Sequence, residues 1–183
     1  ALSTYGEMSG RDPMSPEPIF AQARVYAAAK DYVRAREKAE ATLLLKQNYV
    51  PAHLLIAQLE ERAGNLPKAI ERMQVAALLN PSEVGTLFQL GLLYYRAEDF
   101  ESAGRVFLRA VELNPAYSNA RYFLGLVYDQ LGNKAAALEQ FERVLALNPG
   151  NAEVERIIAN LTSGKKALSG ISSAPENRKQ APV

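Results

Sequence analysis

Apolar residues recur at three- and four-residue steps through most of the chain, which is the pattern of amphipathic helices. Leu87, Leu90 and Tyr94 mark one such helix, and Ala103 and Phe107 mark the next. Short breaks separate the helices, either glycine followed by asparagine or asparagine followed by proline. Glycine favours the left-handed end of a helix, and proline cannot continue one. The pattern therefore predicts a series of helical hairpins.

The hairpins repeat along the chain with a fixed period. Three Asn-Pro pairs, at 80–81, 114–115 and 148–149, follow one another at steps of 34 residues. Several other positions keep the same step: Ala35, Ala69, Ala103 and Ala137; Leu45, Leu79, Leu113 and Leu147; and Met73, Phe107 and Phe141. A fixed period of about 20 to 50 residues is typical of repeat architectures, in which each unit is one supersecondary motif.

The third copy of the pattern reads Leu90-Gly91, Tyr94, Ala103, Phe107, Ala110 and Pro115, and it resembles the tetratricopeptide repeat. The copy at 118–151 fits nearly as well, and the copy at 50–83 is looser. The copy at 16–49 is the weakest, because Gln47 stands where the closing proline would be. The resemblance implies an all-α fold, namely an α-solenoid of about four antiparallel helix hairpins in a right-handed superhelical stack.

The repeats predict the domain organisation. One hairpin cannot cover both of its apolar faces, so neighbours stack and the last one needs a cap. Residues 152–161 supply a capping helix, with Asn151 as its N-cap and Val154, Ile157, Ile158 and Leu161 as its apolar stripe. We therefore expect a flexible segment at 1–15, a repeat domain at 16–161 (repeats 16–49, 50–83, 84–117 and 118–151, then the cap) and a disordered tail at 162–183.

In tetratricopeptide arrays the first helix of each hairpin lines a concave groove, and the resemblance places ten residues of this chain there. They are Phe20, Arg24, Leu54, Gln58, Phe88, Leu92, Tyr95, Tyr122, Leu126 and Asp129. An exposed apolar patch beyond what the core requires indicates an interaction surface. We expect this groove to bind a peptide or helix of a partner protein. The matching positions lack the Lys and Asn of family members that grip a C-terminal carboxylate, so no carboxylate clamp is expected.

Other interpretations of the groove stay open. The chain's own tail folds back into it through Leu168 and Ile171, or the groove is the contact of a self-assembling homo-oligomeric scaffold, or some of its residues belong to the core. A weaker resemblance, carried by residues 119–125 and 151–154, is to the C-terminal repeat modules of bacterial membrane proteins of the O-antigen polymerase type. It implies a soluble accessory domain of a larger envelope protein.

Composition narrows the classes of partner that this chain is expected to bind. The 183 residues include 21 basic and 20 acidic side chains, for a net charge of +1, so a nucleic-acid surface is not expected. The absence of cysteine excludes disulfides and thiolate metal sites. No apolar run reaches about 18 residues, so direct membrane insertion is not expected. We expect a cytoplasmic protein or the soluble domain of an envelope protein, with a protein, a peptide or a second copy as partner.

The sequence contains few candidates for catalytic or metal-binding side chains. His53 is the only histidine and has no convergent partners at suitable spacing, so we expect it to fill space near a hairpin seam. Glu60 and Glu61 are adjacent on a helix and point apart, which favours a solvated face. Lys165 and Lys166 begin a basic tail that we interpret as solvated linker. We therefore predict no catalytic, cofactor-binding or metal-binding residue, and no enzyme activity.

Overall fold

The computed structural model describes residues 15–171, and the regular secondary structure in this range is entirely helical. Nine helices follow one another within it: α1 (Pro16–Ala28), α2 (Tyr32–Leu45), α3 (Val50–Arg62), α4 (Leu66–Leu79), α5 (Val84–Arg96), α6 (Phe100–Leu113), α7 (Ser118–Gln130), α8 (Lys134–Leu147) and α9 (Ala152–Thr162). The predicted all-α hairpin fold is confirmed. No helix of residues 15–171 has the length and apolar character needed to cross a bilayer.

Each hairpin turns through one residue in the left-handed conformation, and the four residues are 34 positions apart. They are Lys30 (φ 62°), Gly64 (φ 76°), Glu98 (φ 58°) and Gly132 (φ 79°). Glycine adopts this conformation without strain, whereas a side chain with a Cβ atom does so at a cost. The sequence indicates the turns at Gly64 and Gly132. The structure shows that Lys30 and Glu98 adopt the same left-handed conformation at the turns of the first and third hairpins.

The Asn-Pro pairs end the second helix of a hairpin. Helices α4, α6 and α8 stop at Leu79, Leu113 and Leu147, and the asparagine that follows each one is the C-cap. A residue before proline is disfavoured in the helical conformation, so each helix ends there. The predicted break positions therefore hold in all three copies.

The described residues fall into two compact units that divide between Thr86 and Leu87. We call residues 15–86 unit 1 and residues 87–171 unit 2, and each is described by itself. The predicted domain boundaries stay predictions, with one difference at the end of the chain. Where the sequence predicts a disordered tail from residue 162, the structure continues α9 to Thr162 and joins residues 164–169 to α7, α8 and α9 by hydrogen bonds.

Unit 1 has a core of small and aliphatic side chains. Ala23, Ala39, Ala52 and Ile56 form its buried cluster, and Phe20, Leu43, Tyr49 and Leu55 pack against them. In the hairpin seam of the second repeat, Ala57 and Met73 are both buried. Small residues at a seam let the helices of a hairpin approach closely.

Unit 2 has an aromatic core. The rings of Phe88, Phe107 and Phe123 contact one another with centroids 5.6–5.8 Å apart. Phe141 lies at the edge of Tyr122, with 5.5 Å between ring centroids. A Cβ atom added at Gly91 would lie 2.5 Å from the ring of Phe107, and one at Gly125 would lie 2.8 Å from Phe141. These glycines make room for the rings.

Candidate functional site

Unit 1 contains a groove of about 640 Å³ between α1 and α3. We call it the α1–α3 groove. It is lined by Glu17, Phe20, Ala21, Arg24, Ala27, Tyr49, Pro51, Leu54, Leu55 and Gln58. Four predicted site residues, namely Phe20, Arg24, Leu54 and Gln58, therefore come together in one concavity. They do so because residues three or four positions apart share one face of a helix.

Sequence reasoning missed Tyr49 as part of this lining. Tyr49 precedes α3, and its ring meets the edge of Phe20 with centroids 5.2 Å apart. The same contact recurs in unit 2 between Phe88 and Tyr117, also at 5.2 Å. Tyr49 and Tyr117 are two periods apart, so the 34-residue register carried a signal for this position.

The groove has an apolar floor and an unequal distribution of charge. Arg24 is exposed and forms no ion pair with any residue in the described part of the chain. Hydrogen bonds from Ser15 and from its own backbone lower the pKa of Glu17, and the charge of Lys46 adds to this. Burial raises the pKa of Tyr49, and the nearby charge of Glu17 raises it further. The lining carries one carboxylate, Glu17, and one guanidinium, Arg24, and the ammonium group of Lys46 lies outside the lining, 5.7 Å from the centroid of the Tyr49 ring. Two cations and one carboxylate are therefore close to the groove.

Three predicted site residues of unit 2 are buried, which corrects the expectation that they form an open surface. Phe88 is 3% exposed because its ring packs among those of Phe107, Tyr117 and Phe123. Leu126 is 2% exposed and Asp129 is 3% exposed.

The other predicted residues of unit 2 stay partly accessible. Leu92, Tyr95 and Tyr122 are half-buried. Tyr95 lies against the rings of Phe100 and Phe123, and the hydroxyl of Tyr122 donates to the Glu153 carboxylate at 2.7 Å. These aromatic side chains therefore serve the core of unit 2 as well as its surface.

Asp129 is covered by the segment that follows α9, which we call the strap and define as residues 164–169. The Ala167 amide donates to Asp129 Oδ2 at 2.9 Å, and Lys166 Nζ donates to the Asp129 carbonyl at 2.9 Å. Lys134 Nζ donates to the Gly164 carbonyl. The expectation that Lys166 belongs to a solvated linker is therefore wrong, because its side chain is hydrogen-bonded to Asp129. This part of the tail folds back onto α7.

Asn160 holds the strap from the other side. Its side-chain amide donates to the carbonyl oxygens of Ala167 at 3.0 Å and of Ser169 at 2.8 Å. The sequence pattern placed Asn160 on the outward face of the capping helix, where the structure instead gives it two backbone acceptors. The N-cap itself is as predicted, since Asn151 Oδ1 accepts from the Val154 amide.

His53 has a structural role that recurs in the repeat register. It is buried, and its Nε2–H donates to the Gln47 carbonyl at 2.8 Å. Two periods later Arg121 stands in the same position, and its Nε donates to the Pro115 carbonyl at 2.7 Å. Both side chains thus bond the linker six residues upstream, which supports the expectation that His53 is structural.

Glu60 departs from the expectation of a solvated face. It is 5% exposed, and its Oε1 lies 3.3 Å from the guanidinium of Arg36. A buried carboxylate needs such a partner because an unpaired charge is costly to desolvate. Within residues 15–171 no group of three or more His, Cys, Asp or Glu side chains is placed to hold a metal ion.

The comparisons with known proteins agree with the geometry. Residues 88–152 match the family model for the tetratricopeptide repeat. No curated protein sequence matches the chain significantly. None of these findings supports the weaker resemblance to O-antigen polymerases.

Among solved structures, YrrB, a TPR protein with an unusual peptide-binding site, is 20% identical with a TM-score of 0.79, and the match covers 92% of this chain and 89% of that one. MamA from Desulfovibrio magneticus RS-1 is 22% identical with a TM-score of 0.69, covering 82% and 85%. A tetratricopeptide repeat protein from Parabacteroides merdae is 20% identical with a TM-score of 0.74, covering 81% and 60%. These likenesses concern the fold.

Proposed function

We propose that this chain is a protein–protein interaction scaffold that takes a short segment of a partner protein in the α1–α3 groove. The observation that carries the proposal is the concavity itself, about 640 Å³ with an apolar floor and a few polar groups at its rim. Sites of this kind bury apolar anchors and use the polar groups to fix orientation. The structural likeness to YrrB, a TPR protein with an unusual peptide-binding site, supports the same direction.

Magnitudes limit the expected affinity. Each apolar side chain buried in the groove contributes roughly 1.5–3 kcal/mol. Three anchors therefore give about 5–9 kcal/mol, against an association cost of roughly 4–15 kcal/mol. We expect a single segment to bind at about micromolar affinity or weaker.

The test uses Leu54, which lies in the groove lining, and Val33, which is 71% exposed on α2 and outside that lining. Leu54→Glu places a charge on the apolar floor, whereas Val33→Glu adds the same charge elsewhere on unit 1. The full chain and both variants are used to capture proteins from lysate of the cells that encode it. Captured proteins are then purified, and their Kd values for each variant are measured.

We expect Leu54→Glu to weaken the captured complex by about 100-fold, since an anchor is lost and a carboxylate is desolvated. Val33→Glu should leave the Kd within about twofold, as is usual for surface substitutions. Circular dichroism checks that both variants keep the helical fold. A partner that binds Leu54→Glu as tightly as the unmodified chain would show that the groove is not its site.

Self-assembly is a second candidate, and one observation favours it. Leu44 and Leu78 are 86% and 80% exposed, and they occupy equivalent positions on α2 and α4. Exposed apolar side chains that recur at one position of a repeat indicate an interaction surface. Sedimentation at several concentrations separates the candidates, because reversible growth in mass indicates self-assembly and a steady monomer indicates a foreign partner.

A further inference from the structure

The strap stands in unit 2 where the 34-residue register places the counterpart of the α1–α3 groove. Helices α7 and α9 follow α1 and α3 by 102 residues, which is three periods. Asp129 on α7 corresponds to Ala27 on α1, and Asn160 on α9 corresponds to Gln58 on α3. Ala27 and Gln58 line the α1–α3 groove, and Asp129 and Asn160 hold the strap. The strap is therefore an internal example of a chain segment recognised at this position of the repeat.

The strap is recognised through its backbone and in a non-helical conformation. Asp129 accepts from the Ala167 amide, and Asn160 donates to the carbonyls of Ala167 and Ser169. The segment forms consecutive turns, in which the Ser169 amide donates to the Lys166 carbonyl at 3.0 Å. Backbone recognition of this kind fixes the segment without requiring a helical face.

The strap site and the α1–α3 groove differ in their polar side chains. In unit 2 the Asp129 carboxylate accepts from the Ala167 amide of the strap, and Lys166 donates to the Asp129 backbone carbonyl. In unit 1 alanine replaces that carboxylate, and Arg24 stands where unit 2 has Leu126. The side-chain acceptor that holds the strap is thus missing at this position of the α1–α3 groove and a cation lies near it, while the carboxylate of Glu17 lies in the first turn of α1. The amide donor is retained, since Gln58 stands in the position of Asn160.

We infer that the α1–α3 groove takes a short, non-helical and acidic segment of a partner protein. A carboxylate side chain of that segment lies against Arg24, and a backbone carbonyl accepts from the Gln58 amide. The strap of a second copy is disfavoured here, because alanine replaces the carboxylate that accepts from its Ala167 amide. The inference rests on the proposed function and adds the chemical class of the partner.

The probe is a displayed library of random twelve-residue peptides selected on the full chain. Selected peptides are synthesised with amidated C-termini and with each acidic residue replaced by lysine. Their Kd values are measured for the unmodified chain and for the Arg24→Glu, Gln58→Ala, Leu54→Glu and Lys68→Glu variants. Lys68 is exposed on α4 and outside the groove lining, so its reversal is the matched control.

The expected result is enrichment of Asp and Glu in the selected peptides and no gain of helical circular dichroism on binding. Arg24→Glu should weaken these peptides about tenfold, since an exposed attraction becomes a repulsion. It should also restore affinity for the peptide in which one acidic residue is lysine. Lys68→Glu should change the Kd less than about twofold.

The remaining outcomes overturn one claim or both. Peptides that require Leu54 but bind Arg24→Glu unchanged, that need a free C-terminal carboxylate, or that become helical on binding overturn this inference and leave the proposed function standing. Peptides indifferent to Leu54→Glu overturn the groove as the site, and the inference with it. A library that yields no binder also overturns both the groove as the site and this inference.

Discussion

Units 1 and 2 follow one 34-residue pattern and fill it with different side chains. At the hairpin seams, unit 1 sets Ala23 near Ala39 in register and Ala57 near Met73, while unit 2 sets Gly91 against Phe107 and Gly125 against Phe141. Met73, Phe107 and Phe141 each stand opposite an alanine or a glycine, whereas the first seam has alanine at both positions. A larger side chain on one helix therefore requires a smaller residue on the other, as close packing demands.

The units also differ in how they use the position between the first helices of adjacent repeats. In unit 1 this position is a groove with Arg24 at its rim, and in unit 2 it holds the strap. In unit 2 the chain runs on past α9 and supplies a segment whose Ala167 amide donates to the Asp129 carboxylate. One repeat register therefore leaves an open groove in one unit and holds a segment of the chain in the other.

The largest expected effect tests the aromatic seam. Phe107→Ala should lower the free energy of unfolding by about 3–5 kcal/mol, because the ring is fully buried and contacts Phe88 and Phe123. Met73→Ala changes the same position of the second repeat. It should lower the free energy of unfolding by less than Phe107→Ala does, since Ala57 already fills part of that seam. Urea unfolding measures both. A smaller loss for Phe107→Ala than for Met73→Ala would break the comparison.

The second expected effect concerns the strap. Asp129→Ala should lower stability by about 1–2 kcal/mol, because the Ala167 amide loses its acceptor. Asp129 Oδ1 is buried without a partner, so its removal offsets part of that loss. Hydrogen exchange should show faster exchange at Ala167, while Glu139→Ala on the exposed face of α8 leaves that amide protected. Unchanged protection at Ala167 would mean that Asp129 does not hold the strap.

A third effect sharpens the idea of volume exchange at the seam. Gly91→Ala should cost about 1 kcal/mol, because the clash with the Phe107 ring outweighs the gain in helix propensity. In the Phe107→Met background, Gly91→Ala recreates the Ala57–Met73 pair of the second repeat. There the substitution should leave the free energy of unfolding unchanged or raise it. Urea midpoints of the four proteins give the coupling directly. Equal effects of Gly91→Ala in both backgrounds would show that the ring does not require the glycine.

The smallest effect concerns the hairpin turns. Glu98→Gly should raise stability by about 0.5 kcal/mol, because relief of the left-handed conformation exceeds the entropy that glycine adds to the unfolded chain. Gly132→Ala, at the equivalent turn, should lower stability by about 1 kcal/mol for the same reason. Thermal unfolding of the two variants checks the sign of each change, and a loss of stability in Glu98→Gly would contradict the argument.

Much of the candidate site in unit 1 could be predicted, and much of it in unit 2 could not. Phe20, Arg24, Leu54 and Gln58 come together because helical periodicity and the repeat register suffice to place them. Phe88 was assigned to a groove by the same register and is core instead. The register gives the helix face but not the neighbours that cover that face.

The helices, the period and the turns at Gly64 and Gly132 follow from the amino-acid sequence, because they depend on local backbone preferences and on apolar spacing. Which inward positions are covered does not follow from it, since burial depends on side chains that are distant in sequence. The aromatic packing around Phe88 and the strap on Asp129 are contacts of this kind. The strap shows what composition cannot predict. The side chains of Asp129 and Asn160 hold it through hydrogen bonds to its backbone, and composition does not reveal such bonds.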